Sequence, residues 1–296
     1  MTTATADIRR PVVLEETVAT KIARLARRAP VHLVLVVIGL IWLVPTFGLF
    51  LTSIISPTST ASSAWWKVFS QPSALTFANY DHLYHNSAIH AAFIRTIWIT
   101  LGATALPILV AALAGYAFAW LEFPGRDWIF LVVIGLLIVP VQMGLIPMFS
   151  LYDTLGIFDT IPGLILFHTA FALPFAIFLL RNFFIGIPKE LMEAARIDGA
   201  SEWRIFFRLI LPLGVPAIAS LGIFQVLFVW NDLIVGLTLA QNNVPINPTI
   251  ASQLRQFGSN LDVIAPAAFI SLLVPMSIFF AFQRYFVQGL LAGSVK

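Results

Sequence analysis

Not one cysteine occurs in the 296 residues of this chain. Disulfide bridges and thiolate metal sites are therefore excluded. Charge is almost as scarce. Asp, Glu, Lys and Arg make up 10% of the chain, against about 25% in ordinary soluble domains. The chain also lacks a Gly-x-x-x-x-Gly-Lys-Ser/Thr phosphate loop, a His-Glu-x-x-His metal pair and a Gly-x-Ser-x-Gly nucleophile elbow. Its five histidines are scattered, and no metal site or catalytic residue is assigned. What fills the space is apolar: 59% of the residues are hydrophobic and 26 are Phe. A single core of this size cannot hide so much apolar surface from water without lipid.

A helix needs about 20 apolar residues to cross a bilayer. Six segments qualify, at about Val31–Ser53, Ala91–Trp120, Trp128–Phe149, Gly163–Phe184, Leu213–Leu233 and Val263–Phe282. The expected fold class is an all-α membrane protein with six transmembrane helices. The domain plan has a basic tail at 1–30, a first span at 31–53, a loop at 54–90, a core at 91–284 and a tail at 285–296. With the N-terminus in the cytoplasm, only Lys67, Arg95 and Arg255 of the 17 basic residues fall outside the inner segments. That bias predicts cytoplasmic N- and C-termini in a multi-pass bacterial inner-membrane protein.

The N-terminus has no early apolar run and carries Asp7, Glu15 and Glu16, so it is not a signal peptide. Thr17 to Ala29 reads as a basic amphipathic helix, which either lies on an anionic membrane surface or is a basic tail that fixes topology. The outer loop 54–90 carries Trp65 and Trp66, as an interface belt or a partner contact. Pro107, Pro140, Pro147, Pro174 and Pro216 lie within or at the ends of spans. Each frees a backbone carbonyl that a neighbouring helix or water must satisfy.

Between the fourth and fifth spans sits a polar, small-residue island, Glu193-Ala194-Ala195-Arg196-Ile197-Asp198-Gly199-Ala200, followed by Leu211-Pro212. Pro188 suits a helix start, and Gly199 suits a left-handed helix end. These signals predict a helix over Lys189–Asp198. Ser201 then caps a second helix running toward Pro212. Small Ala194 and Ala195 permit close approach by a partner, while Glu193 and Asp198 fix register. Asp232 is the one carboxylate placed within a span; with Trp230 and Asn231 it is a candidate for the outer mouth of a pathway or for stabilising the unwound helix end. Gln142 is a further pathway candidate, and His168 is the other notable polar residue in a span.

The spacing Glu193-Ala194-Ala195, Asp198-Gly199-Ala200 and Leu211-Pro212 resembles the coupling segment of permease subunits in bacterial ABC importers. Tyr116-Ala117-Phe118-Ala119, Phe123-Pro124-Gly125-Arg126, Trp230-Asn231-Asp232 and the stretch from Gln283 to Leu290 with Gly293 to Lys296 are similar to the same family. The likeness is to the smaller, six-span permease of maltose-type carbohydrate importers, particularly the α-glucoside branch. The resemblance implies a non-enzymatic subunit that pairs with a second permease. Two separate ATPase subunits would grip it at Glu193, Ala194, Ala195, Asp198, Gly199, Ala200 and Pro212, and would hold ATP and Mg²⁺. An extracytoplasmic sugar-binding protein would deliver an oligosaccharide or an α-glucoside of maltose or trehalose type. Gln288, Gly289, Gly293 and Lys296 would contact the ATPase pair. No nucleic-acid partner is implied. The alternatives are an ion-coupled secondary transporter, for which intramembrane acids are too few, or an ABC permease for a non-sugar solute.

Overall fold

The computed structural model describes residues 18–56, 64–257 and 260–292, with side chains for 29–56, 64–253 and 260–284. The chain divides into two units, Met1–Gly48 and Leu49–Lys296. Among the described residues there is no strand; a single antiparallel bridge joins Ile55 to Leu75. The first unit holds most of α1, Val18–Ser53. The predicted amphipathic segment runs into the first span as one helix, although Thr17 and the side chains of 18–28 lie outside the described set. From Val31 to Val44 its apolar side chains are exposed, Trp42 by 77%. A helix apolar and exposed all round is built for lipid contact.

In the second unit, α2 (Ala78–His85) is tied to the end of α1. Asn79 Nδ2 donates to the carbonyls of Ser53 and Ile55 at 3.0 and 2.8 Å. There follow α3 (Ser87–Trp120), α4 (Arg126–Leu136), α5 (Val141–Thr154), α6 (Ile161–Ile185), α7 (Lys189–Ile197), α8 (Glu202–Leu213), α9 (Val215–Trp230), α10 (Ile234–Leu239), α11 (Ile246–Phe257) and α12 (Leu261–Ala292). The stretch read as a loop at 54–90 thus contains α2, and α3 begins four residues before the expected span. The polar stretch before α12 contains α11.

Among the described residues four helices are long and apolar enough to cross a membrane, and two bent pairs bring the number to six if each pair is one span. The unbroken third span expected over Trp128–Phe149 is not what forms. The chain breaks between α4 and α5 and turns by 99°. Pro140 sits at the break with extended backbone (φ −70, ψ 141). Pro140 cannot donate to the Leu136 carbonyl, and here the chain leaves the helix, whereas Pro107 and Pro174 sit inside unbroken helices.

The course of α3 and α6 bears on this broken pair. A Cβ on Gly102 would meet Ile165, and one on Gly115 would come within 3.1–3.2 Å of Arg181 and Leu180. Higher residue numbers therefore face higher ones, and the two helices run parallel in close contact. Parallel neighbours that both cross a membrane need a return crossing between them, and α4 with α5 is the segment that joins the two. Gly115 is where a small residue is required for this approach. Trp120 at the end of α3 also donates its indole N–H to the Phe184 carbonyl at 3.1 Å.

Helix α9 braces the bundle. Pro107 in α3 and Pro275 in α12 cannot donate to the carbonyls four residues earlier, those of Ala103 and Ser271. Gln225 Nε2 donates to the Ala103 carbonyl at 3.0 Å, and Trp230 Nε1 donates to the Ser271 carbonyl at 3.0 Å. The need expected at Pro107, and the same need at Pro275, is thus met by one neighbouring helix.

Candidate functional site

The island folds as two short helices at one end of the bundle. Pro188 precedes α7 with extended backbone, and the helix runs Lys189–Ile197. Gly199 closes it in the left-handed conformation, φ 73. The Gly199 N–H bonds the Arg196 carbonyl and the Ala200 N–H bonds the Ala195 carbonyl, both at 3.0 Å. This is the paired Schellman closure. No atom lies within 4 Å of a Cβ placed there. Backbone conformation, not crowding, therefore sets the need for glycine. Ser201 starts α8, its Oγ accepting from the Arg204 N–H at 3.4 Å. Phe206–Ile210 then widen into a π-turn just before Leu211 and Pro212. Such a turn suits a position where Pro212 cannot complete the ordinary ladder.

One face of this pair is anchored. Met192, Ile205 and Ile210 are at most 1% exposed and join a core with Phe184, Leu180 and Tyr116. The other face is open. Ile197 is 85% exposed, Trp203 62% and Phe207 55%, and the Trp203 and Phe207 rings stack at 6.0 Å. Glu193 pairs with Lys189 at 3.1 Å on the exposed side, a contact worth little in water. Ala194 is exposed and Ala195 half-buried. Together with Asp198, Arg204 and Arg208 they line an open concavity of about 420 Å³ between the two helices. Exposed aromatics beside an unfilled hollow are the chemistry of an interface.

A half-exposed strut ties this pair to α3. The Glu202 carboxylate accepts from the Tyr116 hydroxyl and from Arg196 Nε, the latter at 3.0 Å. Arg196 Nη2 also donates to the Trp120 carbonyl at 3.3 Å. Sequence reading singled out neither Glu202 nor Arg196 as a site residue, and took Tyr116 only as part of a motif. The signal was Tyr116 as a lone hydroxyl near the end of a long apolar span, which must find a partner when buried.

At the opposite end of the bundle, Asp159 adopts φ 55. Its carboxylate accepts from the backbone N–H groups of Gln241 (2.8 Å), Asn242 (3.0 Å) and Asn243 (2.9 Å) and from Asn242 Nδ2 (2.8 Å). Burial alone would push this carboxyl up, but the backbone donors from Asn243 and Gln241, with Asn242, outweigh it and hold it below the usual range. The turn before α6 and the segment after α10 are thereby clamped together.

The remaining candidates fall as follows. Trp230 is 3% exposed, its indole N–H committed to Ser271. Asn231 Nδ2 bonds the Leu227 carbonyl at 2.8 Å. The Asp232 carboxylate accepts from the Val235 and Gly236 N–H groups at 3.3 and 3.0 Å. These three therefore end α9 and start α10. Gln142 is exposed in the first turn of α5. His168 is buried, with its ring edge-on to Phe167 and Phe228. Gln288 and Gly289 lie in the backbone of α12 with no side chain described, and Gly293 and Lys296 lie outside the described residues. Among the described residues no cluster of His, Asp and Glu is arranged to hold a metal.

Comparison with known proteins agrees with this architecture. Residues 108–291 match the family model described as binding-protein-dependent transport system inner membrane component. The osmoprotective compounds uptake permease protein GgtD of Synechocystis is 42% identical over 276 residues, covering 91% of this chain and 93% of that protein. The alpha-glucoside transport system permease protein AglG of Rhizobium meliloti is 45% identical over 233 residues, 76% of this chain and 61% of that protein. A chain in the crystal structure of a bacterial ABC transporter importing alginate superposes with a TM-score of 0.73 over 92% of this chain and 99% of its own length, at 20% identity. That likeness shows an ABC permease fold. A multi-pass, all-helical bundle with this sequence kinship is an inner-membrane permease, and the chain belongs to the binding-protein-dependent transport system inner membrane component family.

Proposed function

We propose that this chain is one of two permease subunits of an ATP-driven sugar importer, and that α7 and α8 are where separate ATPase subunits dock. The observation that carries the reading is the island itself, a helix pair fixed to the core by Met192, Ile205 and Ile210 yet presenting Ile197, Trp203 and Phe207 to the outside. Energy that this chain has no phosphate loop to collect would enter through that face.

The lysine and arginine bias supports placing both termini and the island in the cytoplasm. The Asp159 clamp would then face outward, where a sugar-binding protein delivers its load. The coupling contacts are Glu193, Ala194, Ala195, Asp198, Gly199, Ala200 and Pro212, with the tail from Gln288 to Lys296 reaching the same ATPase pair. ATP and Mg²⁺ are held by that partner. The substrate class is an oligosaccharide or α-glucoside of disaccharide size. The relative from Rhizobium meliloti, named for alpha-glucoside transport, and a Mycobacterium tuberculosis relative named for trehalose transport, 36% identical over 278 residues, support this choice.

The test uses the reconstituted complex. Glu193→Lys reverses a charge on the exposed face, and Gly199→Pro removes the φ 73 turn that closes α7. Both are expected to abolish uptake and weaken ATPase docking while sugar binding to the external protein is unchanged. Wild-type uptake in both variants would defeat the coupling assignment.

A further inference from the structure

Helix α9 continues from the island with little between them: Gly214 alone separates α8 from α9, across a 70° bend. Whatever moves α8 therefore moves the start of α9. Further along, α9 grips two other helices at the points where proline has opened their backbone ladders. Gln225 is 7% exposed and bonds the Ala103 carbonyl freed by Pro107. Trp230 is 3% exposed and bonds both the carbonyl and the Oγ of Ser271, at 3.0 and 3.2 Å, where Pro275 has freed the carbonyl. The second grip is closed into a ring: Asn247 Nδ2 donates to the Trp230 carbonyl at 2.8 Å, and Ser271 Oγ donates to Asn247 Oδ1 at 3.4 Å.

A proline turn bends more easily than an intact one, because one ladder bond is missing and the ring crowds the preceding turn. In a dry bundle the freed carbonyl must still be bonded. A backbone donor would lock the turn, whereas a side-chain donor from another helix holds it at one point and lets the helix pivot about that point. The two grips lie five residues apart on α9, about 7.5 Å along its axis. A displacement of α9 is thus imposed on α3 and α12 together.

We propose that Gln225 and Trp230 are positioning residues of the transport cycle, pinning α3 at Pro107 and α12 at Pro275 as hinges driven by α9. This rests on the transport function proposed above. It makes Trp230 a mechanical part of the subunit and not a residue of the solute pathway.

The test compares three variants in the complete complex in proteoliposomes, reading assembly and ATP-dependent sugar uptake separately. Gln225→Leu removes the donor and keeps the bulk. Pro107→Ala gives residue 107 an N–H that can bond the Ala103 carbonyl, locking the turn. The double variant loses the pin but leaves no carbonyl unbonded. Gln225→Leu is expected to lower both assembly and uptake. The double variant is expected to assemble like wild type, yet to transport about three- to tenfold more slowly, the range for loss of one interhelical hydrogen bond in a membrane bundle. Pro107→Ala alone is expected to behave like the double variant. Trp230→Phe with Pro275→Ala repeats the design at the second hinge. Wild-type uptake by the double variant would show that Gln225 only satisfies a carbonyl, and would overturn the proposal. Unchanged assembly and uptake in Gln225→Leu would overturn it too. Absence of ATP-dependent uptake in the wild-type complex would overturn the transport reading and the hinge with it.

Discussion

Replacing Glu202 probes how firmly the island is joined to the bundle. Its carboxylate sits between the Tyr116 hydroxyl and the Arg196 guanidinium. The two bonds differ in weight. The Arg196 and Glu202 side chains are 42% and 43% exposed, so their ion pair contributes at most about 1 kcal/mol. Tyr116 is only 5% exposed, and Glu202→Ala leaves its buried hydroxyl without an acceptor, at a cost of about 1–3 kcal/mol. The sum for Glu202→Ala is about 1–4 kcal/mol. Tyr116→Phe removes the hydroxyl and should cost less, because no buried donor is stranded. In Tyr116→Phe the further loss on Glu202→Ala should shrink to the ion-pair share, about 1 kcal/mol or less. The assay is a double-mutant cycle on thermal unfolding of the purified complex, with the ratio of sugar transported to ATP hydrolysed read alongside. Additive effects, with an interaction energy within about 0.3 kcal/mol of zero, would refute the strut.

Met192 is fully buried beneath α7. Met192→Ala should destabilise the subunit by about 2–5 kcal/mol, seen as a lower unfolding midpoint and as faster amide exchange in 189–197 than in α6; equal exchange in both would contradict the anchoring. Asp159 has a carboxyl held below its ordinary value, so the clamp's contribution is present at neutral pH and is lost only as pH falls through that lowered value. Asp159→Asn should remove this acid-sensitive step from unfolding curves and cost about 1–3 kcal/mol at pH 7; a curve with the same acid dependence as wild type would contradict the clamp.

What could be read from the sequence alone was local. Pro188, Gly199 and Ser201 act through their own backbone and nearest neighbours, so the two island helices were legible nearly to their ends. The break between α4 and α5 was half visible: Pro140 was noted, but an apolar run has the same composition whether it is straight or bent by 99°. The strut and the clamp were not visible, since Tyr116 meets Glu202 across 86 residues and Asp159 meets Asn242 across 83. Such pairings depend on how the helices are laid side by side. Trp230-Asn231-Asp232 shows the other limit. Polar residues near a span end read equally as a pathway or as caps, and only the bonds to Leu227, Gly236 and Ser271 separate the two.

The central claim is that a separate ATPase drives this permease through α7 and α8. The absence of cysteine from the chain gives a clean background for testing it. Ala194→Cys places a thiol on the exposed side of α7, beside the hollow between the helices, and Asn242→Cys places one at the opposite end of the bundle. With a short thiol-reactive cross-linker carrying a second, amine-reactive group, Ala194→Cys is predicted to join the ATPase subunit in intact membranes, with a yield that changes when ATP is bound. Asn242→Cys is predicted to give no such product. Cross-linking from Asn242→Cys and none from Ala194→Cys would contradict the account.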